Sequence, residues 1–95
     1  MNISLDDSKQ GNLQSILIID DDKFIQKFIS KTLNANYSSL CANNGQEGIN
    51  TAKEKLPDII LLDVEMPGMN GYEVCDALKQ DSTTCNIPII FLSGK

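Results

Sequence analysis

The sequence predicts a small doubly wound α/β domain on a parallel sheet. Two apolar runs carry that prediction: Ile16-Leu17-Ile18-Ile19 and Ile59-Ile60-Leu61-Leu62, each bounded by polar residues. Such short, uninterrupted runs read as strands buried on both faces, as parallel sheets require. Around them, helical and strand-like stretches alternate as β-α-β-α-β-α-β, which implies parallel strands joined by right-handed crossovers. A third observation locates the working edge of the sheet. Asp20-Asp21-Asp22 follows the first run at once, and Asp63 follows the second. The ligand crevice of an open α/β sheet lies beyond the carboxyl ends of its strands. Carboxylates gathered there repel one another unless a cation or a raised pKa relieves them. The pattern therefore reads as a site.

The elements follow in order. Residues 1–14 are polar and aperiodic and read as a flexible N-terminal leader, with the domain itself over 15–95. Strand one runs from about Ser15 to Asp20. From Lys23 the period changes: Phe24, Ile25, Phe28, Ile29 and Leu33 fall on one helical face, with Lys23, Gln26, Lys27, Ser30 and Lys31 opposite. Asp22 is placed to cap that helix, so the third acid serves structure. Asn34 to Asn36 end the helix, and Tyr37 to Ala42 form strand two. Asn43-Asn44-Gly45 is a turn. A second helix runs to about Leu56 with Ile49, Ala52 and Leu56 inward, and Pro57 stops it. Asp58 to Asp63 is strand three. Asn70 caps a third helix carrying Tyr72, Val74, Cys75 and Leu78, and Pro88 to Leu92 is strand four.

Composition narrows the function. Ninety-five residues make one domain at most. A net charge of −5 argues against direct nucleic-acid binding, which needs a basic face, and suits a cation site. The chain has no histidine, so imidazole catalysis and imidazole metal ligation are excluded. Cys41, Cys75 and Cys85 lack CxxC spacing; they read as reduced, buried packing residues of a cytoplasmic protein. No stretch approaches the roughly 20 apolar residues that cross a bilayer.

Three segments together are specific. Ile18-Ile19-Asp20-Asp21-Asp22, Leu61-Leu62-Asp63-Val64-Glu65-Met66-Pro67-Gly68-Met69-Asn70-Gly71 and Ile89-Ile90-Phe91-Leu92-Ser93-Gly94 resemble the receiver domain of bacterial two-component response regulators. The resemblance covers about residues 15 to 95. It implies a flavodoxin-like receiver fold with strand order 2-1-3-4. It also implies that Asp63 accepts a phosphoryl group from the phosphohistidine of a sensor kinase or phosphotransfer protein. By the same resemblance Mg2+ is the cofactor, held by Asp20, Asp21, Asp63 and the backbone carbonyl of Glu65. Ser93 stands where the family hydrogen-bonds the phosphoryl oxygen. The domain would act as a switch reset by slow hydrolysis, not as a turnover enzyme.

The resemblance breaks after strand four. Receivers continue with a fourth helix, a fifth strand ending in a lysine, and a fifth helix, and Lys95 does not stand in for that lysine. The expectation is a piece of a longer response regulator with an effector domain beyond it, prone to self-association through an exposed edge. Two rivals are a receiver-like interaction module that works without phosphorylation and a phosphatase of the haloacid-dehalogenase type. The second matches Asp-x-Asp-x-Thr at Asp20 and Asp22 but has Phe24 at the threonine position.

Overall fold

The computed structural model describes residues 13–33 and 36–92. Seven elements alternate: β1 (Gln14–Ile19), α1 (Lys23–Thr32), β2 (Tyr37–Ala42), α2 (Gly45–Lys55), β3 (Ile59–Asp63), α3 (Gly71–Lys79) and β4 (Ile89–Leu92). The strands are parallel and ordered β2-β1-β3-β4, the expected doubly wound arrangement. Strand β1 begins inside the segment read as leader. The remainder of that segment, residues 1–12, lies outside the described residues.

Register aligns the site. Ile19 pairs with Ala42 on one side and with Leu62 on the other. Asp20 and Asp63 are the next residues along β1 and β3, so both acids emerge at the same end of the sheet. At the opposite end, Asp58 Oδ2 accepts from the Ser15 N–H at 2.7 Å, and the Asp58 N–H donates to the Ser15 carbonyl at 2.9 Å. That exchange fixes the β1–β3 stagger, and it leaves Asp58 just outside β3.

The principal core lies on one face of the sheet. Leu17, Ile19, Ile60 and Leu62 meet Ile49 and Ala52 of α2 and Val74 and Leu78 of α3. Each fully buried aliphatic side chain contributes about 1.5–3 kcal/mol. Alternation along β1 sends Ile16 and Ile18 to the other face. There Ser30 of α1 lies 3.8 Å from Cys41 and 3.3 Å from Ser39 of β2, oxygen to sulfur and oxygen to oxygen. The helix starts are capped by side chains: Asn44 accepts from Glu47 N–H, and Asn70 and Glu73 form a reciprocal capping box.

Several expectations are corrected. Helix α1 turns a different face to the sheet: Phe24 and Phe28 are 74% and 61% exposed, whereas Gln26 is buried. Leu56 is not inward; it ends α2 in the left-handed region at φ 48° and is exposed. Tyr72 is exposed, and its ring meets that of Phe91 at a tilt of 48°, with centroids 5.2 Å apart. The three cysteines are free, but Cys41 is exposed and Cys75 and Cys85 are half-buried, so they are not uniformly core residues. Among the described residues no helix is long and apolar enough to cross a membrane.

Candidate functional site

The three acids picked out by sequence meet in one pocket. Asp20, Asp21 and Asp63 each offer a carboxylate oxygen, and these oxygens all lie within 4.8 Å of one another. Asp20 is buried, Asp63 half-buried and Asp21 exposed, a gradient from floor to rim. They open into a cavity of about 490 Å³ whose apolar wall includes Ile25, Phe28 and Ile29 of α1.

Each acid is held by the turn that carries it. Asp20 Oδ1 accepts from the Asp22 N–H at 2.9 Å, and the Asp20 N–H extends the β1–β2 ladder to the Ala42 carbonyl at 3.1 Å. Asp22 points away from the cluster's work: its Oδ1 accepts from Phe24 N–H at 2.9 Å and Ile25 N–H at 3.4 Å, capping α1 as expected. Asp63 Oδ1 accepts from the Glu65 N–H at 3.3 Å. Among the described residues its Oδ2 accepts no hydrogen bond.

The β3–α3 loop is tightly constrained behind Asp63. Met66 is buried in the core, Gly68 takes φ 78°, and the Gly71 N–H closes onto the Val64 carbonyl at 2.9 Å. Only glycine fits at position 71, since a Cβ there would strike the Asp63 carbonyl oxygen and come within 2.8 Å of Val64 Cα.

Negative charge dominates the pocket. Among the described residues the only ion pair is Lys53–Asp81, at 3.4 Å, away from the cluster. Burial pushes the Asp20 carboxyl above its ordinary value; the neighbouring charges of Asp63, Asp21 and Asp22 push the same way, while the Asp22 N–H opposes them. Three carboxylates with one oxygen each at this spacing suit a hard, oxygen-seeking divalent ion, and the absence of imidazole or thiolate beside them disfavours softer metals.

Of the residues named from sequence, Asp20, Asp21 and Asp63 converge, and Glu65 adjoins them through its backbone. Ser93 lies outside the described residues. Sequence reasoning missed Gln26, which is 8% exposed and donates into the floor of the acidic turn. Its signal was present: residues 25, 26, 29, 30 and 33 form a stripe as regular as the one built on the phenylalanines.

The sequence model of the response regulator receiver domain family matches residues 16–95. The chain belongs to that family. Among relatives of this receiver domain, Response regulator PleD of Caulobacter vibrioides is 42% identical over 80 residues, which cover 83% of this chain and 18% of PleD. The chemotaxis protein CheY4 of Vibrio cholerae superposes with a TM-score of 0.83 at 32% identity, covering 87% of this chain and 70% of that one. The receiver domain of sensor histidine kinase PA1611 from Pseudomonas aeruginosa superposes with a TM-score of 0.81 at 25% identity, covering 86% and 68% respectively, and holds a magnesium ion in its active-site cleft. The chain spans between 6% and 36% of the length of the curated relatives it matches. Receivers of this family are phosphoacceptors in two-component signalling.

Proposed function

We propose that Asp63 of this chain accepts a phosphoryl group from the phosphohistidine of a sensor kinase or phosphotransfer protein. The observation that carries the reading is the convergence of three carboxylates within 4.8 Å with no cationic partner among the described residues. Asp20, Asp21, Asp63 and the Glu65 backbone carbonyl are the groups that hold Mg2+. When bound, the ion offsets their mutual repulsion and screens the negative charge of an incoming phosphoryl group.

The chain's own residues do the rest. The Glu65 N–H engages Asp63 Oδ1, which leaves Oδ2 as the attacking oxygen. Oδ2 forms the new bond to phosphorus while the phosphorus–nitrogen bond of the phosphohistidine breaks and the imidazole departs. Water later attacks phosphorus, the bond to Oδ2 breaks, and the carboxylate and inorganic phosphate are restored. One phosphoryl group is handled per signalling cycle, so the domain is a switch and not a turnover enzyme. Leu92 pairs with Asp63, and Ser93 is the next residue in the chain, which supports its hydroxyl as the hydrogen-bond donor to the phosphoryl oxygen. The working compartment is the cytoplasm, and the output is an effector region of a longer regulator.

The phosphatase alternative fares worse. It needs Asp20 as nucleophile, yet Asp20 is buried, and it needs Asp22 in the chemistry, yet Asp22 caps α1. The test is labelling by a small phosphodonor with Mg2+, followed by peptide mapping of the acyl phosphate. Label on Asp63, abolished in Asp63→Asn and by chelation, is the expected result. Label on Asp20 supports the phosphatase reading. No label, together with no Mg2+-dependent response to beryllofluoride, supports the phosphorylation-independent interaction module.

A further inference from the structure

We infer that Gln26 is a positioning residue for the acidic site, holding the Asp20–Asp21 peptide in the orientation that brings both carboxylates together. The inference rests on the cation-site reading of Asp20, Asp21 and Asp63. Gln26 Nε2 lies 2.6 Å from the Asp20 carbonyl oxygen, 3.2 Å from the Ala42 carbonyl oxygen and 2.9 Å from Asn43 Oδ1. Main-chain carbonyls can only accept, so these partners fix which end of the side-chain amide is the donor. Two hydrogens serve three acceptors, and the shortest contact is to Asp20.

That contact matters because the Asp20 carbonyl belongs to the peptide joining the two acids. Fixing its plane fixes the relative direction of the two Cα–Cβ bonds at the site. The opposing acceptors belong to the end of β2 and to the residue before the α2 cap. Asn43 is itself held by Glu47 Oε1, which accepts from the Asn43 N–H at 2.7 Å. Gln26 therefore ties the acidic turn to a rigid strand end and a capped helix, and does so from a buried position where an unmade hydrogen bond is costly. A purely structural glutamine needs only satisfied hydrogens; this one is bonded to the turn that carries Asp20 and Asp21.

The test compares wild type with Gln26→Met, which keeps the length and removes the donors, using the full chain. Magnesium chloride is titrated while backbone amides are followed by NMR, and the order parameter of the Asp21 amide is measured without metal. Loss of groups that orient metal ligands typically weakens binding 10–100-fold, so about a tenfold fall in Mg2+ affinity is expected. The Asp21 amide is expected to loosen while the α2 and α3 amides keep their order. A folded Gln26→Met with unchanged Mg2+ affinity and an unmoved Asp21 order parameter overturns the inference. Wild type that ignores Mg2+ sinks the cation-site reading instead, and the Asp21 measurement then decides the role of Gln26 alone. If Gln26→Met does not fold, Asn43→Ala removes one of the three acceptors from the other side. Loosening of the Asp21 amide is expected there too, and its absence overturns the inference equally.

Discussion

Replacing Asp20 with Asn should stabilise the metal-free chain. Asp20 and Asp21 are neighbours in sequence, so part of their repulsion persists in the unfolded chain. The repulsion between Asp20 and Asp63, 43 positions apart, arises only on folding. With oxygens 4.8 Å apart at most, that pair costs about 0.9 kcal/mol at the dielectric of water and about 3.5 kcal/mol at an effective dielectric of 20. Asn keeps an oxygen to accept from the Asp22 N–H and turns its amide hydrogens toward the remaining carboxylates. The expected gain is about 1–3 kcal/mol, and each kcal/mol raises Tm by about 4–8 °C in a domain of this size. Thermal melts in chelator give the answer. The pH dependence carries the same sign. The Asp20 carboxyl sits above its ordinary value of 3.8, first through burial and then through its acidic neighbours. The folded chain thus holds that proton more tightly than the unfolded one. Its contribution to stability is full below pH 3.8 and is lost as pH rises through the folded value. The advantage of Asp20→Asn should be largest at neutral pH and shrink toward 3.8. With Mg2+ at a hundred times its Kd, wild type should gain about 2.7 kcal/mol, and the order of stabilities should narrow or invert. A chelated Asp20→Asn chain that melts at or below the wild-type temperature refutes the electrostatic account.

Two further perturbations separate scaffold from site. Gly71→Ala forces a Cβ against the Asp63 carbonyl oxygen and Val64 Cα; it should cost about 1–3 kcal/mol by denaturant melt and also weaken Mg2+ binding. An unaffected titration would mean that the β3–α3 corner yields without moving Asp63. Asp22→Ala removes the α1 cap and should cost about 1 kcal/mol, with Mg2+ affinity near the wild-type value. A fall in affinity of about tenfold or more would make Asp22 a ligand as well as a cap.

Much of the molecule was legible in order of sequence. The uninterrupted runs at 16–19 and 59–62 gave two central strands, because only burial on both faces removes the polar alternation. Pro57 and Asn70 marked helix boundaries through local chemistry that needs no distant partner. The acids at 20, 21 and 63 were found because register is implied once two such strands are neighbours. The inward face of α1 was not legible. Its sequence offers two stripes of equal regularity, one with Phe24 and Phe28 and one with Gln26 and Ser30. Hydrophobicity alone favours the first.

The chain's own pattern thus determined the alternation of elements, the parallel sheet and the acidic ends of its strands, since these follow from periodicity and local backbone preference. Only the tertiary structure decided which side of α1 meets the sheet. Small polar residues of β2, Ser39 and Cys41, face Ser30, and the carbonyls at the end of β1 and β2 need a donor that a phenylalanine lacks. The physical reason is that a buried polar group is judged by partners brought from elsewhere in the chain, and such partners exist only once the fold has formed.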